Sequence, residues 1–543
     1  MKPATLGLAF SDFREGQLEV AGQIAGSQKE FFILQAPPGS GKSMVAMTTS
    51  RLAQEIAPEP ESWRTIITVA TKQLQSQYVR DFNIPQMFGR GNFLCAKSDE
   101  RTTCDYGLCQ VKRGCTREEK WFTCHYHRQK KQVAKARECV LNIAYFLYES
   151  NYVGEFRGAD LLVLDEGHLL ENMVSQFVGI SFYRSVFQRL RLAFPEVKTV
   201  GDVVTWAEDC ELLVEAKLMA INGRIERSQY PDEVDVRAVT RLEQIHKSLN
   251  TIQAEVAKDP EMWALYSQLE SFEVKPILVS SYSHKVVFEK AKKKLIMSAT
   301  ILDPEEYAFN IGIPKGSYEW VDIPSTFEPN NRPVNYWPVA KVSGKTLQDS
   351  LQKVASAIDQ VAAVFPEEKG VIHTVSYGLT KLLVENCSCS DRFIHHLRRT
   401  RDDAIRDFMA TSEPAILISP SVTIGLDLPG DAGRFLIVAK LQFPDLSDPI
   451  VQAKMHLSNK WYAWQTACAL VQSTGRIVRT EEDYGTSVIL DQNLTWFSRK
   501  YSNLLPVWWK EAFYVLKNGI SSIKIATGQA TLVSIGEEYA TVR

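Results

Sequence analysis

Residues 36–43 read Ala-Pro-Pro-Gly-Ser-Gly-Lys-Ser, directly after the apolar run FFILQ (31–35) and at the start of an expected helix from Ser43. A strand, a glycine turn and a helix in that order make a phosphate cradle. Gly39, Ser40 and Gly41 let backbone N–H groups face a triphosphate without Cβ obstruction, and the helix start adds the positive end of its dipole. Lys42 has the reach for the β- and γ-phosphates, and the Ser43 hydroxyl suits Mg2+. Ala36 stands where the general pattern has glycine, at a turn position that tolerates alanine. At the end of a second apolar run, LLVLDE (161–166), stand Asp165, Glu166, Gly167 and His168. ATP hydrolysis needs such a strand-end acid pair: Asp165 to hold Mg2+, usually through water, and Glu166 to polarise the attacking water. Alone, the pair reads as an acidic strand end at a solvated edge; behind a phosphate loop it reads as catalytic.

Five of the ten cysteines, Cys95, Cys104, Cys109, Cys115 and Cys124, crowd into one short stretch. In a reducing compartment such a crowd is a metal or cluster site before it is a set of disulfides. Thiolates suit iron clusters, which need four. Zinc fingers prefer close CxxC knuckles, and the spacing here contains none, which favours iron over zinc. Cys139, Cys210, Cys387, Cys389 and Cys468 are scattered and read as small core hydrophobes. His373, His395 and His396 lack ligand neighbours at metal spacing and are assigned to structure.

The elements that must position these groups follow from short apolar runs between helical stretches. FFILQ (31–35), TIITVAT (65–71), LLVLDE (161–166) and KLIMSAT (294–300) predict the buried strands of a parallel α/β sheet. Two insertions interrupt it. One is the cysteine-rich segment, 91–138. The other, 171–275, reads as helical, with Leu242, Ile245, Leu249, Ile252 and Val256 forming one apolar stripe. From 325 a second α/β pattern runs through GVIHTV (370–375), AILISP (415–420), RFLIVAK (434–440) and TSVILD (486–491). The fold class is therefore α/β, with two parallel-sheet domains. The first is built from 1–90, 139–170 and 276–324 and carries both insertions; the second covers 325–543.

A chain of 543 residues implies roughly three to four domains. No apolar run is long enough to span a bilayer, and the N-terminus has no signal-peptide core. A cytoplasmic protein with no membrane partner is expected. The net charge of −2 speaks against nucleic acid binding only weakly, because local basic stripes can hide in it. Arg128, Lys130, Lys131, Lys135 and Arg137 form one such stripe, and Lys285 to Lys294 another; each reads equally as a solvated helix face.

With these residues in hand, the chain resembles the XPD/DinG group of superfamily 2 helicases. Asp165-Glu166-Gly167-His168 looks like a DEAH box, and further motifs follow in the family's order. FREGQ, with Phe13, Arg14 and Gln17, is similar to the adenine-reading segment. TVATKQLQSQ (68–77) is similar to a backbone-gripping loop, and MSATI (297–301) to the motif that couples hydrolysis to strand movement. SPSVTIGLDLPGD (419–431) carries Gly425 and Asp427, and QSTGRIVR (472–479) carries Gln472, Arg476 and Arg479. Two arginines three apart on a helix share a face, and planar guanidinium groups suit a pentavalent phosphate. One of them would be the arginine finger reaching the γ-phosphate from the second domain.

The resemblance implies a [4Fe–4S] cluster between phosphate loop and DEAH box. GRGNFLC (89–95) looks like the opening of that domain and CHYHRQK (124–130) like its end, with His125 where the family often has proline. Cys95 and Cys124 follow as outer ligands. Cys109 and Cys115, with the turn-permitting Gly114 beside the second, complete the expected set, and Cys104 is left over. A set of Cys104, Cys109 and Cys115 imitates the DinG spacing and would leave Cys124 out.

The resemblance further implies an ATP- and Mg2+-dependent monomer moving 5′ to 3′ on single-stranded DNA and unwinding forked DNA. The helical insertion would be an arch closing around the strand. Thr71, Lys72, Gln75, His373, Thr374 and Ser421 are the expected DNA contacts. The lack of further domains resembles compact virus-encoded members, for which the location is the host cytoplasm. Residues 1–12 leave no room for the exonuclease domain that some DinG relatives carry. Two rivals stay open: an ATPase stimulated by RNA or DNA that does not unwind, and an inactive scaffold. Six intact catalytic positions speak against the second.

Overall fold

The computed structural model describes residues 1–97, 101–107, 115–227, 233–344, 346–421, 428, 430–478, 480, 482–529 and 531–534. Cys109, Gly425, Asp427 and Arg479 lie outside the described residues.

The first seven-stranded sheet contains β1 (Phe31–Gln35), β2 (Thr65–Val69), β3 (Gln86–Met87), β4 (Glu138–Asn142) and β5 (Ala159–Asp165). The chain then leaves it for a small sheet of β6 (Ile180–Tyr183), β7 (Trp263–Ser267) and β8 (Ser271–Pro276). It returns for β9 (Ala291–Ser298) and β10 (Tyr318–Asp322). The order is β10-β1-β9-β5-β2-β4-β3, parallel throughout. Every residue of β1 and β2 is buried, as expected for strands covered on both faces.

The second seven-stranded sheet contains β11 (Val334–Ala340), β12 (Gly370–His373), β13 (Phe393–His395), β14 (Ile416–Ser419), β15 (Phe435–Val438), β16 (Thr486–Asp491) and β17 (Phe513–Val515). Its order is β13-β14-β12-β15-β16-β11-β17, again parallel. The expected strands all form. Those the sequence reading passed over are two or three residues long, such as β3, β13 and β17, or carry polar residues within the strand, such as β4 (ECVLN) and β10 (YEWVD). Neither kind shows a continuous apolar run.

The insertion at 171–275 corrects the all-helical expectation. Helices Val200–Arg227 and Glu233–Thr251 do form a hairpin, and the stripe Leu242, Ile245, Leu249, Ile252 and Val256 is buried in it. Its root, however, is the antiparallel sheet β6-β8-β7. In β8 burial alternates strictly, with Phe272, Val274 and Pro276 turned inward. That period of two marks a half-buried strand, and the strong helical periodicity nearby masked it.

The basic stripes are solvated faces in part: Arg128, Lys131, Lys135, Arg137, Lys285 and Lys292 are exposed. Lys130 is buried beside Glu149, and Lys290 and Lys294 are buried as well. Lys294 pairs with Glu30, and Lys292 with Asp160. Cys139, Cys210, Cys387 and Cys468 are core residues, as expected. Among the described residues no helix is long and apolar enough to cross a membrane.

Candidate functional site

In a parallel sheet, loops at the carboxyl ends of the strands share one edge, and that edge binds ligands. Here it gathers the phosphate loop after β1, Thr71 after β2, Asp165 and Glu166 at the end of β5, and Ser298 to Thr300 at the end of β9. Strand order puts β9 between β1 and β5, and the Ala36 N–H donates to the Ser298 carbonyl at 3.0 Å.

Gly39 and Gly41 adopt φ of +76° and +77°, the left-handed region that glycine occupies freely. A Cβ on Gly41 would stand 2.4 Å from Gln17 Nε2. Gln17 is buried there and donates to the Ser40 carbonyl at 2.8 Å, while the Arg14 guanidinium donates to the Gly39 carbonyl. The two residues expected to read adenine therefore brace the phosphate loop. They also line, with Lys42, Ser43, Asp165 and Glu166, a cavity of about 360 Å³.

Asp165 is buried. Its carboxylate accepts the Tyr78 hydroxyl at 2.9 Å and the Glu166 N–H at 2.9 Å. Burial, then repulsion from Glu166, pushes its pKa up to about 6, against the pull of Lys42. Glu166 follows in the left-handed region, φ +56°. Gly167 packs so closely on β9 that a Cβ would fall 2.4 Å from Ile296 Cγ2, and its carbonyl accepts the Tyr307 hydroxyl at 2.6 Å.

The second domain reaches this cleft along the helix Trp461–Thr474. Gln472 Nε2 stands 3.1 Å from His168 Nε2 and donates to Thr300 Oγ1 at 2.8 Å. His168 Nδ1 is 2.9 Å from Ser298 Oγ and 3.4 Å from a Glu166 carboxylate oxygen. Burial pulls the His168 pKa down to about 4, against the opposing pull of Glu166, so the ring is neutral at physiological pH. Arg476 donates to Gln472 Oε1 at 2.8 Å. The shared-helix-face expectation for Arg476 and Arg479 is corrected. The helix stops at Thr474 with Gly475 as its cap, so Arg476 lies beyond it. Gly475 is where the second domain meets the phosphate loop; a Cβ there would stand 3.0 Å from Pro38 Cγ. His168, Ser298 and Thr300 were not among the expected site residues, although the fourth letter of the DEAH-like box and the MSATI segment were the available signals.

Among the expected nucleic acid contacts, Lys72 is exposed, with its ammonium 2.6 Å from Asn92 Oδ1. Thr71 caps the helix Lys72–Phe82 and Ser421 is half-buried. Gln75, His373 and Thr374 are buried, which corrects their assignment to a surface track. The Gln75 amide serves the carbonyls of Met87 and Val140, and the Thr374 hydroxyl pairs with Thr380 at 2.6 Å. Gln75 is polar because the carbonyls of those buried strands need partners.

In the cysteine-rich segment, residues 93–95 pair antiparallel with residues 102–104. Cys95 N–H donates to Thr102 O at 2.8 Å, and Cys104 N–H to Phe93 O at 2.8 Å. Phe93 meets Tyr126 edge-on at 5.5 Å, so the two ends of the segment touch. Lys97 bridges to Glu119 at 2.6 Å and feels the charges of both Cys115 and Cys95. Cys124 occupies the N-cap position of the helix His125–Ala134. Cys104 is the most buried of the described four, and its thiol donates to Leu94 O at 3.4 Å.

Tyr106 of this segment lies under Arg237 and Arg241 of the helical hairpin, 5.9 and 5.2 Å from its ring centre. A cavity of about 660 Å³ is lined by Lys72, Arg90 and Lys247, by Asp105, Glu149 and Glu243, and by Tyr126 and Tyr148 among others.

The DEAD/DEAH box helicase family matches residues 14–201, and the Helicase C-terminal domain family matches residues 351–512. A probable ATP-dependent helicase of Methanocaldococcus jannaschii is 20% identical over 87% of this chain and 90% of its own. The ATP-dependent DNA helicase DinG of Photobacterium profundum is 32% identical over 18% of this chain and 16% of its own. A regulator of telomere elongation helicase 1 homolog of Oryza sativa is 32% identical over 16% of this chain and 10% of its own. The matches to these last two thus span a sixth or less of the relatives' length. Among solved structures, an XPD helicase superposes with a TM-score of 0.63 at 14% identity, over 93% of this chain and all of that one. Xpd4 of S. tokodaii superposes with a TM-score of 0.56 at 16% identity, over the same shares. At these identities the structural likeness establishes the fold.

Proposed function

The chain is an XPD/DinG-like member of superfamily 2 helicases, and from that premise we propose that it couples ATP hydrolysis to 5′-to-3′ movement on single-stranded DNA and unwinds forked duplexes as a monomer. The observation that carries the reading is the cross-domain contact of Gln472 with His168 and Thr300, within one cleft that also holds Lys42, Asp165 and Glu166. A site assembled from two domains can respond to nucleotide by opening and closing, which translocation requires.

In this reading Lys42 neutralises the β- and γ-phosphates. Ser43 and Asp165 would hold Mg2+, which would supply positive charge to offset that developing on the phosphates. Glu166 polarises the attacking water, with a carboxylate oxygen 3.4 Å from His168 Nδ1. Neutral His168 hydrogen-bonds to Gln472, and through it the hydrolytic carboxylate is joined to the second domain. Arg476 and Arg479 stabilise the γ-phosphate in flight. Gly425 and Asp427 belong to the same cleft by family likeness.

The chemistry of the cysteine segment fits a [4Fe–4S] cluster. The segment closes on itself through Phe93 and Tyr126, Lys97 lies within reach of the charges of two thiols, and Cys124 sits at a helix start. Cys95, Cys109, Cys115 and Cys124 would hold the cluster through their thiolates. The buried Cys104, with its thiol turned to a backbone carbonyl, suits the spare role. The cavity between this segment, the arch and the first sheet carries the exposed Lys72, with Arg90 and Lys247, beside Asp105, Glu149 and Glu243, and Lys72 is its candidate phosphate contact.

The test is an ATPase assay with single-stranded DNA, single-stranded RNA and neither, followed by unwinding of forks with a free 5′ or a free 3′ tail. DNA stimulation and unwinding of the 5′-tailed fork are expected. Stimulation by RNA alone, or unwinding of the 3′-tailed fork alone, overturns the substrate or the polarity.

A further inference from the structure

One short helix of the second motor domain, Pro449–Leu457, touches three separate elements. At its start, Asp448 caps it by accepting the Ile450 N–H at 2.8 Å, and the same carboxylate oxygen accepts the hydroxyl of Tyr266 at 2.7 Å. Tyr266 lies in β7, the edge strand of the sheet at the root of the arch. In its middle, buried Lys454 pairs with Glu171 of the helix Leu170–Val178 and lies 5.1 Å from the centre of the Trp461 ring. That helix starts two residues after His168 and leads straight into β6 of the arch root. At its end, the Ser458 hydroxyl donates to Glu306 at 2.8 Å, on the helix that follows Ser298 to Thr300.

We propose that the helix Pro449–Leu457 is a transmission: through Tyr266–Asp448 and Glu171–Lys454 it ties the arch to the second motor domain, so that the arch changes position with the nucleotide. The inference rests on the helicase reading. The arch root is joined covalently to the first domain on both sides, at 178–180 and 276–280, and would otherwise ride on it. Any swing of the second domain carries Asp448 with it and acts on β7 through a bond to a charged acceptor. Such a bond shifts a two-state equilibrium by roughly 10-fold or more. Lys454 acts on the same root from the other side, through the shaft that begins beside the hydrolytic residues. Tyr266, Asp448, Glu171 and Lys454 are positioning residues; none of them lines the nucleotide cavity.

The experiment reads the distance between labels on the arch, at Leu212, and on the first motor domain, at Lys29, both exposed. The labels are carried by unnatural amino acids in the full chain, with and without a non-hydrolysable ATP analogue. In the otherwise unaltered protein the distance should change on nucleotide binding. In Tyr266→Phe, which removes only the hydroxyl, the change should be lost. DNA-stimulated ATPase should then stay within about two-fold and unwinding should fall several-fold. Asp448→Asn, which keeps an acceptor for both the cap and the tyrosine but removes its charge, should retain part of the change and fall between the parent and Tyr266→Phe. A distance indifferent to nucleotide in the parent, or an unaltered response in Tyr266→Phe, overturns the proposal. Those outcomes with ATPase and unwinding intact sink the transmission alone, whereas a parent with no DNA-stimulated ATPase sinks the helicase reading itself.

Discussion

Gln472 and His168, 304 residues apart in the chain, meet with their nitrogens 3.1 Å apart across the interdomain cleft. The same glutamine amide reaches Thr300, and its oxygen takes a hydrogen bond from Arg476. One side chain of the second domain thus touches the DEAH-like box, the MSATI segment and the candidate arginine together. Gln472→Ala should leave ATP affinity nearly unchanged and lower DNA-stimulated turnover by roughly 2- to 10-fold per hydrogen bond lost. Steady-state kinetics that show a raised KM with an unchanged kcat would contradict a linking role.

Lys42→Ala should abolish hydrolysis and unwinding together, because the phosphates lose their cation. Glu166→Gln keeps the shape of the site and removes its charge, so ATP still binds while turnover drops by about two orders of magnitude or more. Equilibrium nucleotide binding beside single-turnover hydrolysis separates the two effects. Wild-type turnover in either variant removes that residue from its role.

Lys72 stands exposed at the carboxyl edge of the first sheet and on the wall of the larger cavity. DNA binding should weaken steeply with salt, and Lys72→Ala should reduce the log–log slope by about one while weakening all sequences alike. The measurement is a titration at several salt concentrations. A slope that is flat in the parent would revive the scaffold reading.

Cys95→Ser, Cys109→Ser, Cys115→Ser and Cys124→Ser should each lose the visible absorption and iron content of anaerobically purified protein, whereas Cys104→Ser should keep both. The Cys104 thiol already has a backbone partner in Leu94. Bleaching in Cys104→Ser with retention in Cys109→Ser would exchange the inner ligands.

Gly167→Ala should destabilise the first motor domain. The added methyl meets Ile296 Cγ2 at 2.4 Å and the Met297 carbonyl at 3.3 Å, and β9 has no room to withdraw. A loss of about 1–3 kcal/mol is expected for such overpacking, readable as a lower denaturation midpoint. An unchanged midpoint would mean that β5 and β9 can part.

The sequence by itself determined what lies within a few residues of chain. The glycine turn ahead of Lys42, the acid pair at the end of LLVLDE and the apolar runs of the main strands are local patterns, and backbone geometry turns each into a local structure. The buried stripe from Leu242 to Val256 was legible for the same reason, because a helix repeats within the window that one reads. Tertiary structure alone decided the rest. It turned Gln17 onto the Ser40 carbonyl, buried Gln75, His373 and Thr374, and ended a helix at Thr474 so that Arg476 lies beyond it and reaches back to Gln472. It paired β6 with β8, whose partners Ser181 and Glu273 stand 92 residues apart, and brought Asp448 to Tyr266. Those outcomes depend on which strands become neighbours and on which polar groups must then find partners away from water. Both are settled by contacts between distant parts of the chain, which no local pattern of residue types encodes.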